Sequence, residues 1–276
     1  MRIAYFGGDM FFACMELLME KGHEIIALYT NPPDADEYDY IKNVCRQGKK
    51  FDIPILYSKP TNDDIKALQQ KGCDMIFSAG YRHKIPPWQG GSIRYGTNIH
   101  PSLLPEGGGP MPLPLVIVKG LKKTGVTLHK LSQKWDEGDI ILQEKIILQG
   151  NENIEGLLHE SQAIARKLLR RFLDSPEKCW ENAFPQIHKP GDYWPMVHPD
   201  SLIVDYHKNV EIVEKYLRAH RYISPDGMVE SISAVSFWRE KHNHEPGAII
   251  AQENNIYTMA AADGLVTFKL EHHQIK

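Results

Sequence analysis

The sequence has little of what marks several broad protein classes. Its 276 residues include only four cysteines, Cys14, Cys45, Cys73 and Cys179, too scattered for a disulfide framework or a paired metal site. No apolar run approaches the ~20 residues that a membrane span needs. Basic residues are not in excess: the net charge is −3, so the broad Lys/Arg surface that grips a phosphate backbone is missing. The start, Met1-Arg2-Ile3-Ala4-Tyr5-Phe6, enters a strand at once, without a signal-peptide pattern. There is no internal repeat and no low-complexity tract. These absences lead to the expectation of a cytoplasmic protein in a reducing setting, with no metal, no membrane contact and no nucleic-acid partner. What is present, 42% hydrophobic and 24% charged residues, suits a globular chain with one large domain or a large and a small one.

The first half alternates strand and helix signals. Ile3–Phe6 reads as a buried strand followed by Gly7-Gly8, and Met10–Lys21 as a helix stopped by Gly22. Glu24–Thr30 reads as a second strand, and the acidic stretch Asn31-Pro32-Pro33-Asp34-Ala35-Asp36-Glu37 as a loop. Thr61 or Asn62 can cap a helix over Asp63–Lys71, closed by Gly72, before strands at Met75–Phe77 and Gly96–His100. Strands alternating with helices predict an α/β, Rossmann-like, doubly wound parallel sheet, whose ligands bind beyond the strand carboxyl ends. Val126–Leu131 and Ile140–Ile147 read as further strands, and the apolar spacing from Ile154 to Phe172 as a long amphipathic helix. Five prolines between Ser175 and Asp200 suggest a linker. Beyond it, a helix near Val210–Ala219 and runs at Ala248–Ala251, Ile256–Ala260 and Leu265–Leu270, with an Asp263-Gly264 turn, read as a small β-rich appendage. The expected organisation is a domain over 1–175, a linker over 176–200 and a small β-rich, shortened OB-like domain over 201–276.

The chemistry concentrates between Asn98 and Asp139. Asn98 and His100 are two apart, so at a strand end they share a face, with apolar Ile99 turned away. A loop carrying Asp136, Glu137 and Asp139 could fold back to add a carboxylate. An amide, an imidazole and a carboxylate in one pocket suit acyl transfer: one stabilises an oxyanion, one moves protons, one orients or charges the imidazole. Each piece alone also has a structural reading, as a satisfied core amide, a buried histidine or turn-forming acids. His129, on a strand-like run, reads as lining the pocket rather than reacting. Gly7-Gly8 lacks a full G-x-G-x-x-G and no acid clearly ends the second strand, so tight-turn glycines are the better reading than a nicotinamide site. Glu106-Gly107-Gly108-Gly109-Pro110 lacks the P-loop Lys and Ser/Thr, and Ser102 lacks a G-x-S-x-G setting.

Taken together, Asn98-Ile99-His100-Pro101-Ser102-Leu103-Leu104-Pro105, Thr124-Gly125-Val126-Thr127-Leu128-His129, Asp136-Glu137-Gly138-Asp139-Ile140-Ile141 and Phe77-Ser78-Ala79-Gly80-Tyr81-Arg82 resemble the folate-dependent formyltransferases in order and spacing. That family includes glycinamide ribonucleotide, methionyl-tRNA and sugar-nucleotide enzymes. The resemblance covers roughly residues 1–175 and implies a catalytic trio of Asn98, His100 and Asp136. It implies N10-formyltetrahydrofolate as donor, held by the loop Tyr81, Arg82, His83, Lys84 and Ile85 and by Leu131, Trp135 and Asp136.

The expected acceptor is a small primary amine, an amino-sugar nucleotide first. The stretch after the second strand is acidic where tRNA enzymes carry a basic loop. Methionyl-tRNA or another small amine is the alternative. Gly107-Gly108-Gly109 stands where relatives usually place an Arg, so an unusual acceptor pocket is expected. A non-catalytic folate-binding regulator and a nicotinamide-dependent oxidoreductase remain readings from other classes, and a homodimer is compatible with the sequence.

Overall fold

A computed structural model describes residues 1–32, 41–196, 204–219, 222–223 and 229–272. The strands are β1 (Arg2–Gly7), β2 (Glu24–Tyr29), β3 (Ile55–Leu56), β4 (Met75–Ala79), β5 (Tyr95–His100), β6 (Lys123–Lys130), β7 (Ile140–Ile147), β8 (Tyr222–Ile223), β9 (Val229–Arg239), β10 (Ile249–Glu253), β11 (Ile256–Ala261) and β12 (Gly264–His272). The helices are α1 (Phe12–Glu20), α2 (Lys42–Lys50), α3 (Asn62–Gln70), α4 (Pro112–Val118), α5 (Ile154–Asp174), α6 (Pro176–Glu181) and α7 (Val210–Ala219). They form two compact units: Met1–Pro110 with Thr124–Ile146 and His159–Trp194, and Met111–Lys123 with Ile147–Leu158 and Pro195–Lys276.

The first unit is built on a seven-stranded sheet in the order β3-β2-β1-β4-β5-β6-β7. β1, β2 and β4 are near-continuous apolar runs because both their faces are covered. The parallel sheet read from the sequence holds for β3 to β5, but β6 runs antiparallel to β5. The apolar pattern of β6 reports that it is buried and carries no information on its direction. Gly7 ends β1 against β4, where a Cβ would stand 2.1 Å from the Ala79 carbonyl oxygen. Close strand packing therefore accounts for that glycine without a nucleotide. Phe6 stacks on Tyr29 at 4.4 Å and meets Tyr81 edge-on at 5.4 Å, which fixes the strand ends nearest the functional loops.

The helices of this unit end where their sequences direct. α1 follows a short 3-10 turn over Asp9–Phe11 and stops before Gly22, whose φ of +73° suits glycine. The Asp9 carboxylate accepts from the Asn43 and Val44 amides at 2.7 and 2.8 Å, satisfying two orphan donors at the start of α2. Thr61 caps α3 in a reciprocal box with Asp64. Thr61→Ala is expected to lower unfolding stability by about 1 kcal/mol, read as a shifted urea midpoint with unchanged slope. Leu168, Leu169 and Phe172 of α5 are buried, and Arg166 binds the Ala13 carbonyl at 2.8 Å. The acidic loop expected after β2 lies, from residue 33 to 40, outside the described residues.

The stretch 176–200, expected as a linker, is built structure over its described part. It opens with α6, exchanges backbone hydrogen bonds between Phe184 and Ile140, pairs Tyr193 with Gly108 and buries Trp194. Prolines mark where regular helix stops, not whether the chain leaves a surface.

The second unit carries a five-stranded sheet, β10-β11-β12-β9-β8, antiparallel in each pair with a described register. Its core gathers Val210, Val213 and Leu217 of α7 with Ile232, Val266 and Phe268. It also takes in α4, which packs beside α7, and residue Glu152, whose carbonyl accepts from the buried Arg218 guanidinium. A division at one point in the sequence therefore misses two excursions of the chain. The β11–β12 turn is Ala262-Asp263, with Gly264 already in β12, where a Cβ would meet the Trp238 carbonyl oxygen at 2.2 Å. Among the described residues, no helix is long and apolar enough to cross a membrane.

Candidate active site

The site forms where β5 and β6 run side by side at the end of β5. Asn98 stands opposite His129 and His100 opposite Thr127 in the antiparallel register, so all four side chains rise from one face. His100 and His129 are almost fully buried. The chain beyond β6 folds back and places the Asp136 carboxylate between them. Asp136 Oδ1 is 3.6 Å from His100 Nδ1, 3.7 Å from His129 Nε2 and 3.4 Å from Asn98 Nδ2. The three residues singled out for catalysis, Asn98, His100 and Asp136, therefore converge on one point, with His129 as a fourth member.

Each polar group has a defined proton arrangement. His129 Nδ1 faces the Lys130 carbonyl at 2.9 Å, which can only accept, so the proton sits on Nδ1 and leaves Nε2 as an acceptor. Asn98 Nδ2 donates to that Nε2 at 3.0 Å. This and the nearby carboxylate fix the amide orientation, since the opposite one would set oxygen against two acceptors. His100 Nε2 donates to the Gly107 carbonyl at 2.9 Å, so the neutral ring turns its Nδ1 lone pair toward Asp136. Burial lowers the His100 pKa, against the opposing pull of Asp136 and the Gly107 bond. Burial alone would raise the pKa of Asp136. Positive charge on His100 or His129 when either is protonated, together with the Gly109 N–H, which donates to Oδ2 at 2.9 Å, outweighs it and holds the carboxyl well below the usual carboxylate range.

The loops around this centre are held to it by a second set of contacts. Thr127 Oγ1 donates to the Ser102 carbonyl at 2.6 Å and accepts from Leu104 N and Gln143 Nε2, anchoring the turn that leaves His100. Gly107 has φ +79° and Gly109 φ +120°, and a Cβ on Gly109 would lie 2.0 Å from the Trp194 carbonyl oxygen. Gly108 has neither constraint. Gln186 reaches Asp136 from below, donating to two backbone carbonyls of its loop.

The residues expected to hold a cofactor form the adjoining wall. Tyr81 is buried with its hydroxyl unpartnered, its pKa pushed up to about 12 by burial, and it meets His83 edge-on at 5.6 Å. Ile85 and Leu131 pack on the core cluster around Phe6. Lys84 ties the two loops together, bonding the Gln133 carbonyl and lying 5.5 Å from the Trp135 ring centre. Trp135 is 42% exposed and Arg82 is exposed, so these two flank the wall rather than form its floor. An apolar face, an open indole and an orphaned buried hydroxyl fit a flat heteroaromatic ring with polar edges. Among the described residues, no group of three or more His, Cys, Asp or Glu is placed to hold a metal ion.

Sequence reasoning left out Gln186 and Gln143, and it assigned no bonding role to Thr127 or to the Gly109 N–H. His129 left a signal in its strand-like run, which reads it as lining the pocket, and the structure sets it opposite Asn98.

Comparison with known proteins gives the family and the fold. Residues 1–173 match the family described as formyl transferase. A methionyl-tRNA formyltransferase of Coprothermobacter proteolyticus is 28% identical over 98% of this chain and 92% of its own length. WlaRD, a sugar 3N-formyl transferase solved with dTDP and 5-N-formyl-THF, superposes with a TM-score of 0.65 at 16% identity, over 99% of this chain and 98% of its own. The phosphoribosylglycinamide formyltransferase of Bacillus halodurans superposes with a TM-score of 0.52 at 26% identity, over 64% of this chain and 98% of its own.

Proposed function

Since the chain belongs to the formyl transferase family, we propose that it moves a formyl group from N10-formyltetrahydrofolate to the primary amine of a small acceptor, an amino-sugar nucleotide first. The observation that carries formyl transfer is the convergence of Asn98, His100 and Asp136 within 3.6 Å of one carboxylate oxygen. Tyr81, Arg82, His83, Lys84, Ile85, Leu131 and Trp135 would hold the folate, which supplies the activated formyl carbon. A sugar formyl transferase with this fold was solved with 5-N-formyl-THF.

The side chains then have separable tasks. Asn98 Nδ2 spends one hydrogen firmly on His129 and one on a long 3.4 Å contact with Asp136. The second is weak enough to exchange for a carbonyl oxygen on which negative charge is growing. His100 enters neutral because burial lowers its pKa, and its Nδ1 is the open proton acceptor for the attacking amine, directly or through one water. The imidazolium that results pairs through Nδ1–H with Asp136 while Nε2–H stays on the Gly107 carbonyl, so Asn98 is the donor to the oxygen. Asp136 thus charges His100 only after the proton arrives.

Charge supports this choice of acceptor. From Pro195 onward the chain has eight basic and eleven acidic residues, a poor surface for a tRNA stem. The methionyl-tRNA reading is favoured by the 28% identical relative, a methionyl-tRNA formyltransferase, and it enters the test directly. Release of tetrahydrofolate is to be followed by absorbance with a panel of dTDP- and UDP-linked amino sugars and with methionyl-tRNA. Turnover with an amino-sugar nucleotide is expected; formylation of tRNA alone would overturn this choice of acceptor.

A further inference from the structure

Asp136 holds its place on a backbone that an ordinary residue avoids. Its φ is +55°, in the left-handed region that Asp tolerates at a cost, and the surrounding structure has to impose it. Gly138 is pressed against β6, where a Cβ would be 1.8 Å from the Lys130 carbonyl oxygen. Between these two points the carbonyls of Asp136 and Gly138 are both taken up by one group, Gln186 Nε2, at 2.7 Å each. The Gln186 Oε1 is buried with no partner. Turning the amide over would set oxygen against both carbonyls, so its orientation is fixed and a carboxylate in its place would be repelled.

Gln186 belongs to a strap that grips both loops of the site. At one end Phe184 is bonded in both directions to Ile140, at 2.8 and 3.0 Å. At the other, Gly107 N donates to the Asp192 carbonyl at 2.8 Å and Trp194 N to the Gly108 carbonyl at 2.6 Å. The Gly107–Gly109 turn so held is the one that accepts from His100 and donates to Asp136. The strap makes no hydrogen bond to either reacting side chain, yet it bonds the Asp136 carbonyl and the backbone that follows both residues.

We infer that Gln186 is a positioning residue for catalysis: by clamping the Asp136 and Gly138 carbonyls it holds the Asp136 carboxylate at its working distance from His100. The inference rests on the assignment of Asp136 and His100 to formyl transfer. Asp136 misplaced by even an ångström costs transfer on the order of 100-fold, because its pairing with the new imidazolium depends on distance. The titratable groups that face His100 are Asp136 and, from β6, His129.

The probes are Gln186→Met, which keeps length and loses the donor, and Gln186→Glu, which sets acceptors against acceptors. The readouts are kcat and KM with the acceptor that wild type formylates, and the pH midpoint of His100 by histidine 15N NMR, assigned with His100→Gln. Folded Gln186→Met is expected to lose roughly tenfold to 100-fold in kcat with KM for N10-formyltetrahydrofolate unchanged, Gln186→Glu more. The His100 midpoint is expected to move to lower pH in Gln186→Met, since the opposite charge that raises it has moved away. Unchanged kcat overturns the inference, and so does a loss of kcat with the His100 midpoint unmoved. Asp136→Asn separates the two levels. If it turns over normally, the assignment of the site fails. If it is inactive while Gln186→Met behaves as wild type, only this inference fails.

Discussion

His100→Ala is expected to lower formyl transfer by about 10²- to 10⁴-fold while the protein stays folded, the range ascribed to one positioned proton-transfer group. Deleting the imidazole removes the acceptor for the amine proton and leaves the Asp136 carboxylate without the cation it is placed to meet. Asn98 remains to donate to the oxygen, so a residual rate over the uncatalysed reaction should survive. Steady-state kcat with saturating folate measures the effect; near-normal turnover would refute the assignment. The pH profile gives an independent check. Because the His100 pKa is lowered from 6.5, the neutral ring persists below that value and the acid limb of kcat lies on its acid side. The His100→Ala profile should lack that limb. Stability responds in the same sense: the unfolded chain takes up this proton more readily, so the contribution is complete above 6.5 and is lost as pH falls.

Gly109→Ala is expected to cost about 2–3 kcal/mol of stability and most of the activity. The new Cβ would lie 2.0 Å from the Trp194 carbonyl oxygen at a φ of +120°, so backbone rather than a pliable side chain has to move. Movement there breaks the Gly109 N–H bond to Asp136 Oδ2. Gly108→Ala is the matched control. Its Cβ would meet Leu104, Asp136 and Tyr193 at 3.6 Å each, ordinary contact distances, and it should change the midpoint little. Thermal or urea unfolding of both variants tests the contrast; equal losses would show that the glycine turn tolerates neither or both.

The parts of the fold that were legible in the sequence are those written in local pattern. β1, β2 and β4 show as apolar runs, Thr61 as a cap, and α5 as a helical stripe. The antiparallel course of β6 was not legible, since burial does not encode direction. β9 escaped because its period of two is broken at Ala234, a φ of +48° where the pairing with β12 slips register. At the site, Asn98, His100 and Asp136 were readable because chemistry restricts which residues serve. Gln186 and Asp192 were not, because their work is done on backbone atoms some fifty or more residues away in sequence, where nothing nearby demands a glutamine.

That separation has a consequence for where the working enzyme ends. The family match closes at residue 173, and every group assigned to chemistry lies before it. The bonds that keep those groups in register come from Phe184, Gln186, Asp192 and Trp194, after it. A chimera or truncation cut at the end of the recognisable domain would carry all the reactive side chains but lose the strap over 184–194 that braces them. A cut just past Trp194 keeps the brace, but Met111–Lys123 and Ile147–Leu158 belong to the second unit as well, so that unit cannot be exchanged at a single seam.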